Sequence, residues 1–405
     1  MRFKDLCLVE NPFPPSGTAL ELRSQEYGYF PESNITKLKE NIRKLNSTPQ
    51  AIKTFSVIGE YGSGKTTFLI NKVNNELTSY KFKVFNFQNP GVQLYDLADA
   101  LLRSIGRVEF AKGLFELVSV GLINGTIHQY LSPDDKREAL NFSNWIEQAR
   151  SKEQKTKMIN KLQSAIKNSK YNITDDEEIA HKLASLIIET RERSYFDYRD
   201  FVSSKGSYVA EKEEPKYFLA LIRVLKELYN SYGIAFVIDE FEDVIARSRM
   251  PAFKQADYLR TLKHLFDLSK DEAFWLVLAM TPKSAKDLQQ YEPALYERLG
   301  PESQYSIFLE YPDEKDINGI VRFYVDVRGR DKECGQKHSE MFPFPENFGE
   351  IIKETKRDLT LRQIIKIAHF IVAKALNEEN VKIPLTSKYI ASTILEVYPG
   401  EVKYE

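Results

Sequence analysis

The sequence predicts an α/β protein: a parallel sheet between two layers of helices, with a helical insertion and an all-helical C-terminal domain. Three observations predict it. Five short apolar runs, "TFSVI", "FKVFNF", "IAFVI", "FWLVLAM" and "YSIFL", show no polar/apolar alternation, the mark of strands covered on both faces. The long stretch between the second and third runs carries almost no strand signal. After Tyr311 and Pro312 the apolar spacing is helical to the end.

The elements follow in order. Residues 1–32, with "ENPFPPSG" and "YGYFPES", are rich in proline, glycine and aromatics and predict an irregular arm. Ser33 or Asn34 can cap the next helix, whose apolar stripe is Ile35, Leu38, Ile42 and Leu45. Strands follow at Thr54 to Ile58 and Phe82 to Phe87, each leading into a helix. Residues 107–215 form the helical insertion, in which Thr174 and Glu177 make a capping-box pattern and Ser203 to Lys216 reads as the exit loop. "GLFELVSVGLI" reads as a buried helix within it. Strands three to five fall at Ile234 to Ile238, Phe274 to Met280 and Tyr305 to Leu309. The sheet domain is therefore 33–311. A helical domain, 312–405, follows, with helices expected near 313–327, 345–356, 360–377 and 385–397.

Bulk properties narrow the class. The chain has 405 residues, of which 42% are hydrophobic and 28% charged, enough for a real core and a charged surface. With 57 Lys+Arg against 58 Asp+Glu, it is not a generally polyanion-coated protein, though a local basic patch stays open. No apolar stretch is long enough to span a bilayer, and charges interrupt the N-terminus where a signal peptide needs its apolar core. Cys7 and Cys334 are far apart in sequence, and neither they nor the nearby His338 makes a metal-ligand pattern. So few cysteines suit a reducing cytoplasm, which is the expected location.

Chemistry concentrates at "VIGEYGSGKTTFLI". Gly59, Glu60, Tyr61, Gly62, Ser63, Gly64, Lys65 and Thr66 match GxxxxGK[ST] in full, between a strand and a helix, with Thr67 next in line. Glycines let consecutive backbone N–H groups turn inward on a phosphate, and the helix adds its positive end. Lys65 would reach the β- and γ-phosphates and Thr66 would ligate Mg²⁺. This is the pattern of a P-loop NTPase fold holding ATP or ADP. The third strand ends in "AFVIDEFED". In a parallel sheet ligands gather at the carboxyl ends of strands. Asp239 is therefore expected beside Mg²⁺, and Glu240 as the acid that polarises the attacking water. Glu242 and Asp243 read as solvated helix-start acids. Thr281, at the tip of the fourth strand, either orients that water or simply terminates the strand.

Together these parts resemble the AAA+ ATPases, and among them the origin-recognition-complex-like initiator clade. "NPFPPSG" is similar to their adenine-side arm, "VIDEFED" to their acidic strand end and "LAMTP" to their sensor-1 position. "YEPALYERLGPESQYSIFLEYPDEKDINGIVRFYVDVR" resembles their arginine-finger stretch and first lid helix, and "DLTLRQIIKIAHFIVAKAL" their sensor-2 helix. The resemblance implies that Arg298 is a finger acting across a subunit interface of a homo-oligomer, and Arg362 a sensor on the lid. The departures are Thr281 in place of asparagine, "TLRQ" around Arg362, and no room for the initiators' winged-helix DNA-binding domain. A narrower likeness, carried by "FLALIRVLKELYNSYGIAFVIDEFEDV" and "AMTPKSAKDLQQYEPALYERLG", is to the ATP-binding proteins of BREX-type phage-exclusion loci.

Two segments bear on partners. Ala149 to Lys170 is strongly basic; Lys152, Lys155, Lys157 and Lys161 could meet DNA phosphates, or form a solvated face balanced by Asp175 to Glu178. Thr190 to Phe201 interleaves Arg191, Arg193 and Arg199 with Tyr195, Phe196 and Tyr198, for base stacking or burial. The sequence thus leads to an ATPase that drives a conformational or assembly switch in a DNA-associated process. The alternative is a non-motor nucleotide-dependent scaffold whose insertion binds a protein.

Overall fold

A computed structural model describes residues 2–17, 30–48, 53–88, 94–123, 141–191, 207–245, 255–256, 258–260, 262–263, 266 and 273–399. It contains a five-stranded sheet built from β1 (Lys53–Gly59), β2 (Phe82–Phe87), β3 (Gly233–Ile238), β4 (Phe274–Met280) and β5 (Ile307–Leu309). The order is β2-β3-β4-β1-β5 and every pairing is parallel. The register sets Val57 opposite both Ala279 and Ile307. All five strands lie where the apolar runs predict them.

The absence of alternation has a plain cause: both faces are buried. Phe55, Val57, Ala235, Val237, Trp275, Val277, Ala279, Ile307 and Leu309 share one cluster with Leu38, Ile42 and Leu45 of the helix Glu32–Ser47 and with Phe68, Leu69, Val73 and Leu77. The intervening residues Ile58, Ile234, Phe236, Ile238, Phe274, Leu276, Leu278 and Met280 face a second cluster. It includes Phe110, Leu114 and Phe115 from the helix Arg107–Ile123 and Phe218, Leu221 and Leu225 from Ser207–Leu228. Period-two strands with apolar residues on both sides make three layers, helix on sheet on helix.

The insertion is helical as expected, with helices Arg107–Ile123, Phe142–Gln148, Lys152–Lys167 and Glu177–Ile188 among the described residues. Several boundaries differ. The helix Ser207–Leu228 already runs through most of the expected exit loop, because its apolar residues from Tyr217 onward dock on β3 and draw the helix out. Asp176, not Thr174, caps Glu177–Ile188; its Oδ1 accepts the N–H groups of Glu178 and Ile179. Thr174 instead accepts the N–H of Asp176 at 3.1 Å, two residues too early to cap. The first long helix starts at Glu32, with Pro31 at the N-cap position and no side-chain cap, so Ser33 and Asn34 lie inside its first turn.

The C-terminal bundle, Glu314–Tyr324, Phe348–Thr355, Leu361–Asn377 and Ser387–Val397, has its own core around Ile317, Val321, Phe348, Ile364, Ile371 and Ile390. Leu6, Leu8 and Phe13 of the arm are buried in that core. The first part of the arm thus packs with the bundle, while Phe30 at its end packs on Phe68 beside the sheet. Among the described residues no helix is long and apolar enough to cross a membrane.

Candidate functional site

β1 ends at Gly59, and the chain turns through Glu60 to Gly64 before a helix starts at Lys65. That helix continues as a π-helical turn, Leu69–Val73, and then Asn74–Ser79. Gly62 and Gly64 have φ of +85° and +92°, where a side chain is strained. Gly59 has no room for a Cβ, which would strike Ser63 Oγ. Lys65 is 8% exposed, and its Nζ donates to the carbonyls of Gly59 at 2.9 Å and Glu60 at 3.4 Å. The ammonium therefore lies folded back over the mouth of its own loop.

Asp239 stands at the tip of β3, 7% exposed. Its Oδ2 accepts a hydrogen bond from Thr66 Oγ1, across 173 positions of sequence. Its Oδ1 accepts the N–H of Glu240 at 2.9 Å. Glu240 is exposed and has φ of +52°, an uncommon conformation for a non-glycine residue. Two neighbours pin this turn: Asp239 N–H donates to Phe87 O at 2.8 Å, and Phe241 N–H to Ala279 O at 3.0 Å. The loop and Asp239 thus meet at the carboxyl end of the sheet, with Glu240 next along the chain.

Glu242 overturns one reading. It is no solvated helix-start acid: its Oε2 is buried without a hydrogen-bond partner. Burial pushes its carboxyl above the usual range; its own backbone N–H and Lys65 pull the other way, and Asp239 and Glu240 add to the rise. The sequence showed only a third acid after a strand. Its burial comes from how Phe241, Val244 and Ile245 seat the short helix Glu242–Ile245 in the core.

Thr281 lies just past β4, between the tips of β3 and β1 in sheet order. Its hydroxyl caps the helix Pro282–Tyr291, accepting the Ser284 N–H at 3.2 Å and donating to Ser284 Oγ at 3.0 Å. The terminating role is the one seen here. Arg298 occupies the last turn of Pro293–Leu299, half-buried, on the chain between β4 and β5. Arg362 is at the loop itself. Its N–H donates to Gly62 O at 3.0 Å and its guanidinium lies 4.8 Å over the centroid of the Tyr61 ring. Thr360 and Leu361 close over Gly62 and Gly64.

Two clefts flank the loop. One, of about 340 Å³, is lined by Gly59, Ser63, Pro282, Tyr311 and Thr360. The other, of about 710 Å³, opens beside Thr66, Asp239, Lys83, Gln88 and Tyr229. Of the basic helix Lys152–Lys167, Lys152, Lys157 and Lys161 are exposed and Lys155 is half-buried. Lys167 pairs with Glu177 at 2.8 Å, so the expected acidic balance is partly formed. The aromatics Tyr195, Phe196 and Tyr198 lie outside the described residues. No family model, curated protein or solved structure matches this chain.

Proposed function

We propose that this chain is a P-loop NTPase of AAA+ type, which binds ATP with Mg²⁺ at the loop Gly59–Thr66 and hydrolyses it. The observation that carries the reading is the hydrogen bond from Thr66 to Asp239. It joins the last residue of the loop motif to the end of another strand, and both groups are hard oxygen donors suited to Mg²⁺. Bound there, the metal would neutralise charge on the β- and γ-phosphate oxygens.

The residues divide the work. Lys65, freed from the carbonyls of Gly59 and Glu60, turns to the phosphates. Glu240, held outward by its backbone, takes the proton of the attacking water. Thr281 keeps the tip of β4 in place beside them. Arg362 senses the nucleotide from the bundle: exchanging its stack on Tyr61 for a phosphate contact moves the helix Leu361–Asn377 against the loop. Arg298 serves a neighbouring copy, which makes assembly a condition of fast turnover. The cycle then switches the angle between sheet and bundle, in a DNA-associated setting approached through Lys152, Lys157 and Lys161.

Phosphate release measured against protein concentration tests this, for wild type, Glu240→Gln and Arg298→Ala. Turnover per subunit should rise with concentration in wild type and collapse in both variants. A flat, near-zero rate in all three favours a nucleotide-holding scaffold. Duplex binding compared at two salt concentrations tests the lysines, since phosphate contacts weaken steeply with salt.

A further inference from the structure

Away from the loop, among the described residues, the fold gathers a set of soft ligand types. Cys7 comes from the arm, Cys334 and His338 from the bundle, and their ligand atoms lie within 4.8 Å of one another. Cys7 and Cys334 form a disulfide with Cα atoms 5.3 Å apart and 327 positions between them.

The backbone holds this place together without the sulfur–sulfur bond. Val9 N–H donates to Gly329 O at 2.7 Å, and Asp331 N–H to Cys7 O at 2.9 Å. Asp331 Oδ1 caps the short helix Lys332–Gly335 by accepting the N–H groups of Glu333 and Cys334, both at 3.1 Å. Cys7 is 2% exposed, Cys334 half-buried, and His338 closes the rim with its ring stacked on Phe342 at 4.1 Å.

We propose that Cys7, Cys334 and His338 are a redox-gated site for a soft divalent metal of the zinc class. A dithiol reductant supplies two electrons and two protons, splits the Sγ–Sγ bond and is itself oxidised to a disulfide. The metal then binds two thiolates and the neutral imidazole of His338, releasing the two thiol protons to solvent and leaving a fourth position for water. In a tetrahedral site with Zn–S bonds of about 2.3 Å the sulfurs stand about 3.8 Å apart. Rotation of the two side chains reaches that from the observed Cα separation. Two thiolates and an imidazole select zinc over magnesium, whereas Thr66 and Asp239 offer oxygen alone.

The arm gives the site a reach. Beyond Cys7, Asn11 Nδ2 donates to His369 O at 3.1 Å, and Phe13 O lies 2.7 Å from His369 Nδ1. A Cβ on Gly17 would fall 2.5 Å from Arg362 O. Metal or disulfide, the same link fastens to the short helix Lys332–Gly335 an arm that also touches the helix carrying Arg362. In reducing surroundings the metal performs the fastening that the covalent bond performs after oxidation.

The test uses the full chain, reduced under anaerobic conditions with two titratable thiols, in excess Mg²⁺ to fill the oxygen ligands. Co²⁺ serves as the spectroscopic probe. One equivalent should bind with thiolate-to-cobalt charge-transfer absorption and tetrahedral ligand-field bands, and Zn²⁺ should displace it. The oxidised protein should show none of this. Cys334→Ser, checked for folding by circular dichroism, should abolish the signal, and His338→Ala should weaken binding by at least about ten-fold. The proposal is overturned if the reduced wild type shows no sulfur-ligated cobalt, if the signal survives Cys334→Ser, or if His338→Ala binds as tightly as wild type.

Discussion

Two glycines separate backbone strain from crowding at the site. Gly62 has φ of +85° and Gly106 +88°, so alanine pays a similar conformational penalty at each, about 1–2 kcal/mol. At Gly106 a new Cβ meets nothing within 4 Å. At Gly62 it meets Arg362 Cβ at 3.1 Å and Thr360 Oγ1 at 3.2 Å, both in the first turn region of the bundle helix. That helix must retreat by a few tenths of an ångström. The Arg362 N–H to Gly62 O bond, 3.0 Å, then lengthens or breaks, a further loss of about 1 kcal/mol. Gly106→Ala should therefore destabilise by about 1–2 kcal/mol and Gly62→Ala by about 2–3 kcal/mol. Urea titrations followed by circular dichroism measure both, with midpoints compared at a common slope. Should Gly62→Ala prove no worse than Gly106→Ala, the packing of the bundle on the loop is not what the geometry states.

Further expectations concern the acids and the stack. Glu240→Gln should lower phosphate release by about 100-fold or more while leaving nucleotide affinity near wild type, as read by equilibrium binding of a fluorescent ATP analogue. Thr66→Ala should shift the Mg²⁺ requirement of turnover upward, measured as the metal concentration giving half-maximal rate. Glu242 has a raised carboxyl pKa in the fold. Its favourable contribution is complete below the unfolded value and is lost as pH rises through the folded one. Glu242→Gln removes that loss, so the variant should gain on wild type in melting temperature as pH increases; a gap constant with pH would contradict the buried placement. Arg362→Ala removes the stack on Tyr61, a residue 74% exposed, and should cost about 0.5–1 kcal/mol in thermal unfolding without nucleotide.

The sheet was legible because its physics is local. A strand buried on both sides needs apolar residues at every position, and "FWLVLAM" shows this without any knowledge of its neighbours: all seven residues of β4 are buried. The loop was legible for the same reason, since Gly62 and Gly64 are required by the backbone conformation there. Thr66 and Asp239 could be paired in advance because parallel strands bring their carboxyl ends to one edge. What stayed hidden depends on partners far along the chain. Nothing near Cys7 announces Cys334. Nothing in "DEFED" says that its fourth residue, Glu242, is half-buried with one carboxylate oxygen shut away while Glu240 stays exposed. The cap at Thr281 and the burial of Leu6, Leu8 and Phe13 are likewise decided by what packs against them.

These hidden features converge on the bundle. Its helix Leu361–Asn377 meets the loop through Thr360, Leu361 and Arg362, and meets the arm at Gly17 and Asn11. The arm in turn is fixed at Cys7 to the short helix Lys332–Gly335. A displacement of Arg362 driven from the loop must therefore be absorbed by the arm or resisted by it. Fastening at Cys7 stiffens that resistance, and releasing it lowers the free energy needed to move the helix. If the nucleotide reading holds, the reduced, metal-free chain should respond to nucleotide with the largest change in exposure of the arm to protease. The oxidised chain should respond least, with the same loop, the same acids and the same affinity-determining contacts in each.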